Sequence, residues 1–307
     1  MQSLWMLFAT FLFAIMGVCV KLASPLYSTS EIVMYRGLVG VLVLFCLIRF
    51  QRGSFKTSMP KAHLWRGVVG VISLWLWFYA IAALPLATAM TLNYMAPIWI
   101  ALILFCAGWW HAKNPIEWPL MGAITMSFVG VVLLLQPAFQ SRQLTGAIVA
   151  LISGMLSALA YLQVRKLGLM GEPEYRVVFY FSLVNVLAGV FGNVASAGLG
   201  PVLWHPHTSG YGITLLLGIG LCATMAQMAM TRAYRLGKTL VVANLQYAGI
   251  VFSSVWGALI FGDIFNWHSW LGIAVIIISG LAATFYNSRS TERGASIGRT
   301  GPITSEV

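Results

Sequence analysis

Charged side chains are scarce in this chain of 307 residues: 8% are Asp, Glu, Lys or Arg, while 60% are hydrophobic. The mean hydropathy is +0.87, so a soluble core could not bury the apolar surface that these residues present. Acidic residues are especially few, with seven Asp and Glu against eighteen Lys and Arg. The composition excludes a soluble globular domain and indicates a protein solvated largely by the lipid bilayer.

Sequence motifs for metal binding, disulfide bonding and nucleotide hydrolysis are also missing. The five histidines show no His-Glu-x-x-His spacing, and no glycine-rich phosphate loop is present, so we expect no metal, no cofactor and no ATP-driven step within this chain. No Cys-x-x-Cys pair occurs, and the four cysteines all lie in apolar segments: Cys19, Cys46, Cys106 and Cys222. We interpret them as small packing residues.

Ten apolar segments of about 20 residues, the length of a membrane helix, fill nearly the whole chain. We predict membrane helices at 3–23, 30–49, 64–83, 87–108, 119–136, 144–164, 174–197, 211–232, 239–261 and 267–286. Residues 287–307 are polar and rich in Gly, Ser, Thr and Arg, a composition that predicts a disordered cytoplasmic tail.

Basic residues alternate along the loops between these segments. Fifteen Lys and Arg fall on one side of the predicted membrane, including five in the loop 49–66, while only Arg142 falls on the other side. Lys21 and Arg36 lie inside segments. Because Lys and Arg are enriched in cytoplasmic loops, we predict that both termini are cytoplasmic. The positive charge serves orientation and attraction to anionic lipid, so we expect no nucleic-acid partner.

The sequence also repeats itself at an offset of about 150 residues, which is a signature of repeat architecture. Gly122 and Gly130 of the fifth segment match Gly272 and Gly280 of the tenth. Each copy contains five helices, and because five is odd the second copy enters the membrane from the opposite side. An inverted-topology repeat of this kind is typical of secondary transporters. We predict one repeat at 1–137 and the other at 143–286.

Polar and aromatic side chains inside the apolar segments are the candidate binding residues, because they are costly in lipid unless they face protein or a water-filled cavity. Pro97 frees the backbone carbonyl of Asn93 from its helical hydrogen bond, and Asn244 and Tyr247 share one helix face at the matching place in the second repeat. The candidate substrate-binding residues are Arg36, Trp75, Tyr79, Asn93, Tyr94, Pro97, Tyr161, Thr224, Gln227, Asn244 and Tyr247.

Each candidate also has a purely structural interpretation at this stage. Pro97 could serve only to kink its helix, and the amides and hydroxyls could form hydrogen bonds between helices. Trp75 and Tyr79 could face lipid. Arg36 could attract an anionic substrate group, or it could extend to the interface or pair with Glu31. No carboxylate lies at mid-membrane, so we predict that transport is not driven through a buried carboxylate.

The chain resembles the drug/metabolite transporter superfamily, in its ten-helix branch with two EamA-like repeats. The resemblance covers roughly residues 3–286 and rests on diffuse motifs: Lys21, Glu31–Arg36, 83–87, Tyr94–Pro97, Gly122 with Gly130, Gly262-Asp263, and Gly272 with Gly280. One departure is that the Gly-Glu pair which often follows the fourth helix of each repeat is Gly262-Asp263 in the second repeat and Gly108-Trp109 in the first.

The resemblance implies an all-α polytopic membrane protein of ten helices in two inverted five-helix repeats. It implies a secondary transporter that moves a small organic metabolite by alternating access, and that exports amino acids or related compounds across the inner membrane of a bacterium. We expect a monomer or a weak dimer in the lipid bilayer. The alternative is a membrane-embedded enzyme or a channel, for which the sequence offers no catalytic or filter motif.

Overall fold

The computed structural model describes residues 2–83, 92–111, 118–135, 144–197, 210–262 and 266–299. The regular structure within these ranges is helical. A short 3₁₀ turn, Gln2–Leu4, precedes ten helices: α1 Trp5–Ala23, α2 Thr29–Phe50, α3 Pro60–Ala83, α4 Ala96–His111, α5 Trp118–Leu135, α6 Leu144–Leu169, α7 Glu174–Ala197, α8 Gly210–Leu236, α9 Thr239–Phe261 and α10 Trp267–Arg299.

The helices are long and apolar enough for a membrane protein. Within the described ranges, seven of them meet the length and hydropathy expected of a membrane span, namely α1, α2, α6, α7, α8, α9 and α10, and α4 and α5 contribute shorter apolar stretches. The many exposed leucine, isoleucine and phenylalanine side chains on their outer surfaces, such as Leu187 and Leu281, suit contact with lipid. The predicted all-α, multi-pass membrane fold is confirmed.

Several helix boundaries differ from the sequence prediction, among them the start of α3 and the end of α10. Pro60 begins α3 four positions before the predicted start, as its fixed φ favours at a helix N-terminus. At the other end of the chain, α10 continues to Arg299, so the structure differs from the predicted disordered tail over 287–299. Extending an existing helix adds one hydrogen bond for each residue fixed and avoids the cost of nucleation, and no proline interrupts this stretch. Residues 300–307 lie outside the described residues.

The packing of the helices has the symmetry expected of two five-helix repeats. The most extensive contacts pair α2 with α7, α1 with α8, α5 with α10 and α3 with α6. If each helix is replaced by its counterpart in the other repeat, five helices along the chain, the α1–α8 pair becomes the α6–α3 pair. The α2–α7 and α5–α10 pairs are each unchanged by this replacement. This exchange supports the predicted inverted repeat, and the division at 1–137 and 143–286 stays a prediction.

Glycines allow the backbones of α5 and α10 to touch on this symmetry axis. A Cβ atom added to Gly130 would lie 2.8 Å from the carbonyl oxygen of Gly272, and one added to Gly272 would lie 2.5 Å from the carbonyl oxygen of Gly130. Small residues are favoured where membrane helices approach this closely.

The end of the bundle that carries the loop 51–59 is tightly packed. Met6, Ile100, Leu167, Tyr234 and Val241, from five different helices, all have 0% exposure there and belong to one apolar cluster. This cluster fills the space between the bundle centre and that end.

A polar network covers the same end of the bundle. Buried Glu172 accepts hydrogen bonds from the Thr57 hydroxyl and from Nη1 of Arg176, the latter at 2.9 Å. His63 Nε2 lies 3.5 Å from the same carboxylate. These contacts connect the loop between α2 and α3 to the loop between α6 and α7.

Candidate functional site

A cavity of about 220 Å³ lies in the middle of the helix bundle. This volume is far above the roughly 10–15 Å³ that one water needs, so the cavity is large enough for a small organic molecule. The polar side chains that line it come from six helices and from the segment before α4: Thr10, Arg36, Arg66, Ser73, Asn93, Tyr94, Ser157, Tyr161, Gln227, Gln246 and Ser253.

The chain leaves regular helix at matching places on two sides of this cavity. Tyr94 and Met95 form a turn before α4 begins at Ala96, and Gln246 and Tyr247 form a turn inside α9. The amide of Met95 donates to the carbonyl of Leu92, three residues earlier. In α9 the amides of Gln246 and Tyr247 likewise donate to carbonyls three residues earlier. Interrupted helices at mid-membrane commonly form transporter binding sites, since they present backbone groups to the substrate.

Two arginines project into the cavity from opposite ends of the membrane. Arg36 lies about 10 Å along α2 from its start, and Arg66 about 9 Å along α3 from Pro60, at 1.5 Å per residue. Because α2 and α3 are consecutive membrane helices that run in opposite directions, both guanidinium groups arrive near the bundle centre. The ring of Phe181 lies beside both of them, 3.9 Å from Cζ of Arg66 and 5.7 Å from Cζ of Arg36.

Neither guanidinium is neutralised by the residues that the structure describes. Nε of Arg36 and both Nε and Nη1 of Arg66 are buried without a hydrogen-bond acceptor. Nη2 of Arg66 reaches Oε1 of Gln227 at 3.5 Å, which is at the outer limit for a hydrogen bond. The ion pairs in the described ranges involve other cations, and no carboxylate lines the cavity there.

The two guanidinium groups lie close enough to repel each other. The Cζ atoms of Arg36 and Arg66 both lie close to the centroid of the Phe181 ring, so the two charges are within about 10 Å of each other. At an effective dielectric of about 20 they repel by at least roughly 1.7 kcal/mol. An arginine also presents paired N–H donors that match carboxylate or phosphate geometry. The cavity is therefore chemically suited to bind an anion.

The wall next to the arginines is held by serine and asparagine hydrogen bonds and by a stacked pair of tyrosine rings. Oγ of Ser73 lies 2.7 Å from Oγ of Ser157, and Oγ of Ser153 donates to the Ser73 carbonyl at 2.8 Å, which joins α3 to α6. Nδ2 of Asn93 donates to Oγ of Ser153 at 2.9 Å. Tyr161 lies parallel to the Tyr234 ring. These bonds fix the shape of the polar wall.

Six of the eleven sequence candidates line this cavity: Arg36, Asn93, Tyr94, Pro97, Tyr161 and Gln227. The structure thus brings together candidates from α2, α4, α6, α8 and the segment before α4. Their role in substrate binding stays a prediction.

The other five candidates lie elsewhere. Trp75 packs against α7, where its ring approaches Gly192, and Tyr79 is 54% exposed on the outer surface. Thr224 is buried and donates to the Gly220 carbonyl at 2.7 Å. Asn244 and Tyr247 are buried at the contact of α9 with α5 and α10.

A shift of two positions along α9 explains why Asn244 and Tyr247 do not line the cavity. Residues 246, 249 and 253 of α9 face the cavity, and two residues correspond to a rotation of about 200° around a helix. The face of α9 that was predicted from Asn244 and Tyr247 to line the cavity therefore points away from it. The same shift on α3 replaces Trp75 by Trp77 in the lining.

Arg66 was missed because the predicted third helix began at 64, which placed this arginine among the cytoplasmic loop charges. Pro60 is the signal that could have found it, since proline is favoured in the first helical turn. Moving the helix start to Pro60 places Arg66 well inside the membrane, and the alternation of the loop charges remains.

Comparisons with known proteins identify the family. Residues 1–136 match the model of the EamA-like transporter family. The chain is 30% identical over 279 residues to the "Pseudopaline exporter CntI" of Pseudomonas aeruginosa, covering 89% of this chain and 92% of that protein. It is 24% identical over 303 residues to the "Riboflavin transporter" of Vibrio cholerae, covering 96% of both.

A solved crystal structure supports the fold. It superposes with a TM-score of 0.77 at 15% identity and covers 93% of this chain and 98% of that one. Together with the relatives, this agreement confirms the resemblance that the sequence showed to the drug/metabolite transporter superfamily. The chain belongs to the EamA-like transporter family and is a small-molecule permease.

Proposed function

We propose that this permease exports a small organic metabolite with an acidic group by alternating access, and that the central cavity is its substrate site. The observation that carries the proposal is the pair of unneutralised guanidinium groups, Arg36 and Arg66, in a cavity at the centre of a membrane-spanning bundle. Buried charges normally occur in pairs, because an unpaired charge in a low-dielectric site is costly. A substrate that brings a carboxylate supplies the missing partner. Amino acids and related compounds share that group.

The helix arrangement supports alternating access as the mechanism. Two similar halves of opposite orientation can exchange conformations, which closes one side of a central site and opens the other. The exchange symmetry of the main helix pairs and the matched interruptions beside α4 and in α9 suit this mechanism. The buried cluster around Met6 and Tyr234 fills the end of the bundle that the loop charges assign to the cytoplasm, so this conformation is the one closed to the cytoplasm.

Export is the direction that we favour. The pseudopaline relative is described as an exporter, and export of a compound that accumulates in the cell can proceed down its own gradient without a coupling ion. In the described ranges the cavity lining contains no carboxylate that could carry a coupling proton. Buried Glu31 instead accepts a hydrogen bond from the Ser28 amide at 2.7 Å, in a capping box at the start of α2. We place the protein in a bacterial inner membrane with both termini in the cytoplasm.

Transport by the purified full-length protein in proteoliposomes tests this function. Vesicles loaded with unlabelled organic acids, amino acids, neutral sugars or amines would be assayed for counterflow of the matching labelled compound, with and without a pH gradient. We expect counterflow with acid-bearing compounds, independent of the gradient. Arg36→Gln should abolish it, while Arg49→Gln, an exposed arginine at the end of the same helix, should not. Counterflow confined to neutral or cationic compounds would contradict the proposal.

A further inference from the structure

We propose that the transported substrate carries two anionic groups, one held by Arg36 and the other by Arg66. This inference rests on the proposed function, because it specifies what occupies the same cavity. It narrows the substrate class from compounds with one acidic group to small diacids.

The first argument is that each arginine offers its own set of free donors. The two side chains come from different helices, and the ring of Phe181 lies against both guanidinium groups. Nε of Arg36 is one unpaired donor, and Nε and Nη1 of Arg66 are two more. One carboxylate engages one guanidinium edge in the bidentate geometry. A substrate with a single carboxylate would therefore leave the second guanidinium buried and unpaired.

The second argument is the distance between the two charges. Since the two Cζ atoms lie within about 10 Å of each other, and a paired carboxylate oxygen lies about 2.7–2.9 Å from the guanidinium nitrogen, a short carbon chain is enough to join the two acidic groups. The cavity of about 220 Å³ has room for a molecule of this size. A small dicarboxylate such as succinate fits both constraints.

The third argument concerns a positively charged group on the substrate. An ammonium would enter a cavity that already holds two guanidinium groups, and the described residues of the lining offer it no carboxylate. The described lining offers it amide, hydroxyl, aromatic and backbone carbonyl groups, none of which carries a full negative charge. The repulsion from two cations disfavours a zwitterion with one acid group relative to a diacid of the same size.

The two anionic groups could be carboxylates or phosphates, since arginine binds both. The probes that separate these sources are succinate, its half-amide succinamate, and phosphoglycolate. Succinate and succinamate have nearly the same shape and differ by one charge, which makes them a matched pair. Aspartate adds an ammonium to the succinate skeleton and tests the third argument.

The test is binding of each probe to the purified, full-length protein in lipid nanodiscs, measured by calorimetry. We expect succinate to bind at least roughly 30-fold more tightly than succinamate, the ratio that corresponds to leaving one buried charge unpaired, and more tightly than aspartate. Arg66→Gln should weaken succinate binding and remove most of its advantage over succinamate. Arg49→Gln should leave both affinities unchanged. A purely structural role of Arg66 would not change the ratio between the probes.

Equal binding of succinate and succinamate by the wild type would overturn the proposal, as would an unchanged ratio in Arg66→Gln or a failure to bind any dianion. Preference for phosphoglycolate over succinate would assign one anionic position to a phosphate and support the two-anion site. Counterflow of monocarboxylates at the same rate as succinate would contradict this inference alone and leave the proposed exporter intact. Counterflow restricted to neutral compounds or cations would contradict both.

Discussion

Asn93 and Asn244 lie just before the matching helix interruptions of the two predicted repeats, one position out of register, and their surroundings differ. Asn93 is half-buried, lines the cavity and donates to Oγ of Ser153. Asn244 is 2% exposed, accepts from Oγ of Ser127 at 2.7 Å and donates to the Ser279 carbonyl at 3.3 Å. The first amide faces an open space, and the second closes a contact among three helices.

This difference teaches that register, and not residue type, decides what each repeat contributes to the site. The interruptions at 94–95 and 246–247 are 152 positions apart, so Gln246 and Gly249 take the places of Tyr94 and Pro97 in the cavity lining. Asn244 takes the place of Leu92, which is also buried. Matched linings of this kind suit the exchange of conformations between two similar halves that alternating access requires.

The largest effect on transport is expected from replacing Arg66, because the second repeat contributes no arginine to the described cavity lining. Gln246 and Ser253 from α9 bring no charge, so Arg36 and Arg66 of the first repeat supply all the positive charge in the described lining. Arg66→Gln should lower transport of an acidic substrate by roughly 30-fold or more. Thermal unfolding of the empty variant should occur at the same temperature or higher, because an unpaired buried charge is removed.

The expected combination of lost transport and retained stability separates a binding role from a structural one. Arg176→Gln is the matched control, because this arginine does pair with a buried carboxylate, Glu172, at 2.9 Å. It should lower the unfolding temperature. A large drop in stability for Arg66→Gln would show that this arginine is a structural element of the bundle.

Equivalent glycines of the two repeats also differ in their surroundings. Gly122 and Gly272 match at the offset of about 150 residues, but a Cβ atom at Gly122 meets nothing within 4 Å, while one at Gly272 would lie 2.5 Å from a backbone oxygen. Gly272→Ala should therefore destabilise the protein by about 1–3 kcal/mol. Gly122→Ala should be neutral or stabilising by up to about 1 kcal/mol. Unfolding of both variants in detergent measures the difference, and equal effects would contradict the close contact of α5 and α10.

Replacing each asparagine should have a smaller effect, on stability at Asn244 and on substrate binding at Asn93. Asn244→Ala removes two buried hydrogen bonds, one from the Ser127 hydroxyl and one to the Ser279 carbonyl, so we expect a loss of about 1–3 kcal/mol in stability. Asn93→Ala should change stability less, because its side chain borders the cavity, and should mainly raise the substrate KM. Denaturation and counterflow assays on both variants check this contrast, which an equal loss of stability would refute.

The smallest effect concerns the network that covers the closed end. Burial raises the pKa of Glu172, but hydrogen bonds from Thr57 and Arg176 lower it more, so the pKa lies below its ordinary value. A carboxylate with a depressed pKa stabilises the folded protein above the ordinary carboxyl pKa of about 4.3, and this contribution is lost as the pH falls through the folded value. The unfolding temperature of the wild type should therefore fall in acid.

Removing one donor should weaken that dependence. In Thr57→Val the network loses one hydrogen bond to Glu172, so the unfolding temperature should vary less with pH below about 4.3 than in the wild type. Glu172→Gln should remove this contribution altogether. An unchanged pH profile in Glu172→Gln would contradict the assignment.

The sequence was sufficient for the helices but not for the faces that they turn toward one another. Apolar length places ten helices, and Pro97 and Asn93 correctly mark an interruption beside α4. The buried face of α9 could not be chosen, because Gln246 and Asn244 are both amides and only packing against α5 and α10 decides which is sealed. Arg66 was lost for a related reason: one misplaced helix start moves a charge by more than a turn, from the cavity to the interface.

The most direct test of the central claim is an experimental structure of the wild-type protein with a transported organic acid bound. The account predicts that the ligand occupies the cavity between the two repeats. At least one of its anionic oxygens should lie about 2.7–2.9 Å from a guanidinium nitrogen of Arg36 or Arg66. A ligand bound elsewhere, with both guanidinium groups still unpaired in an empty cavity, would contradict it.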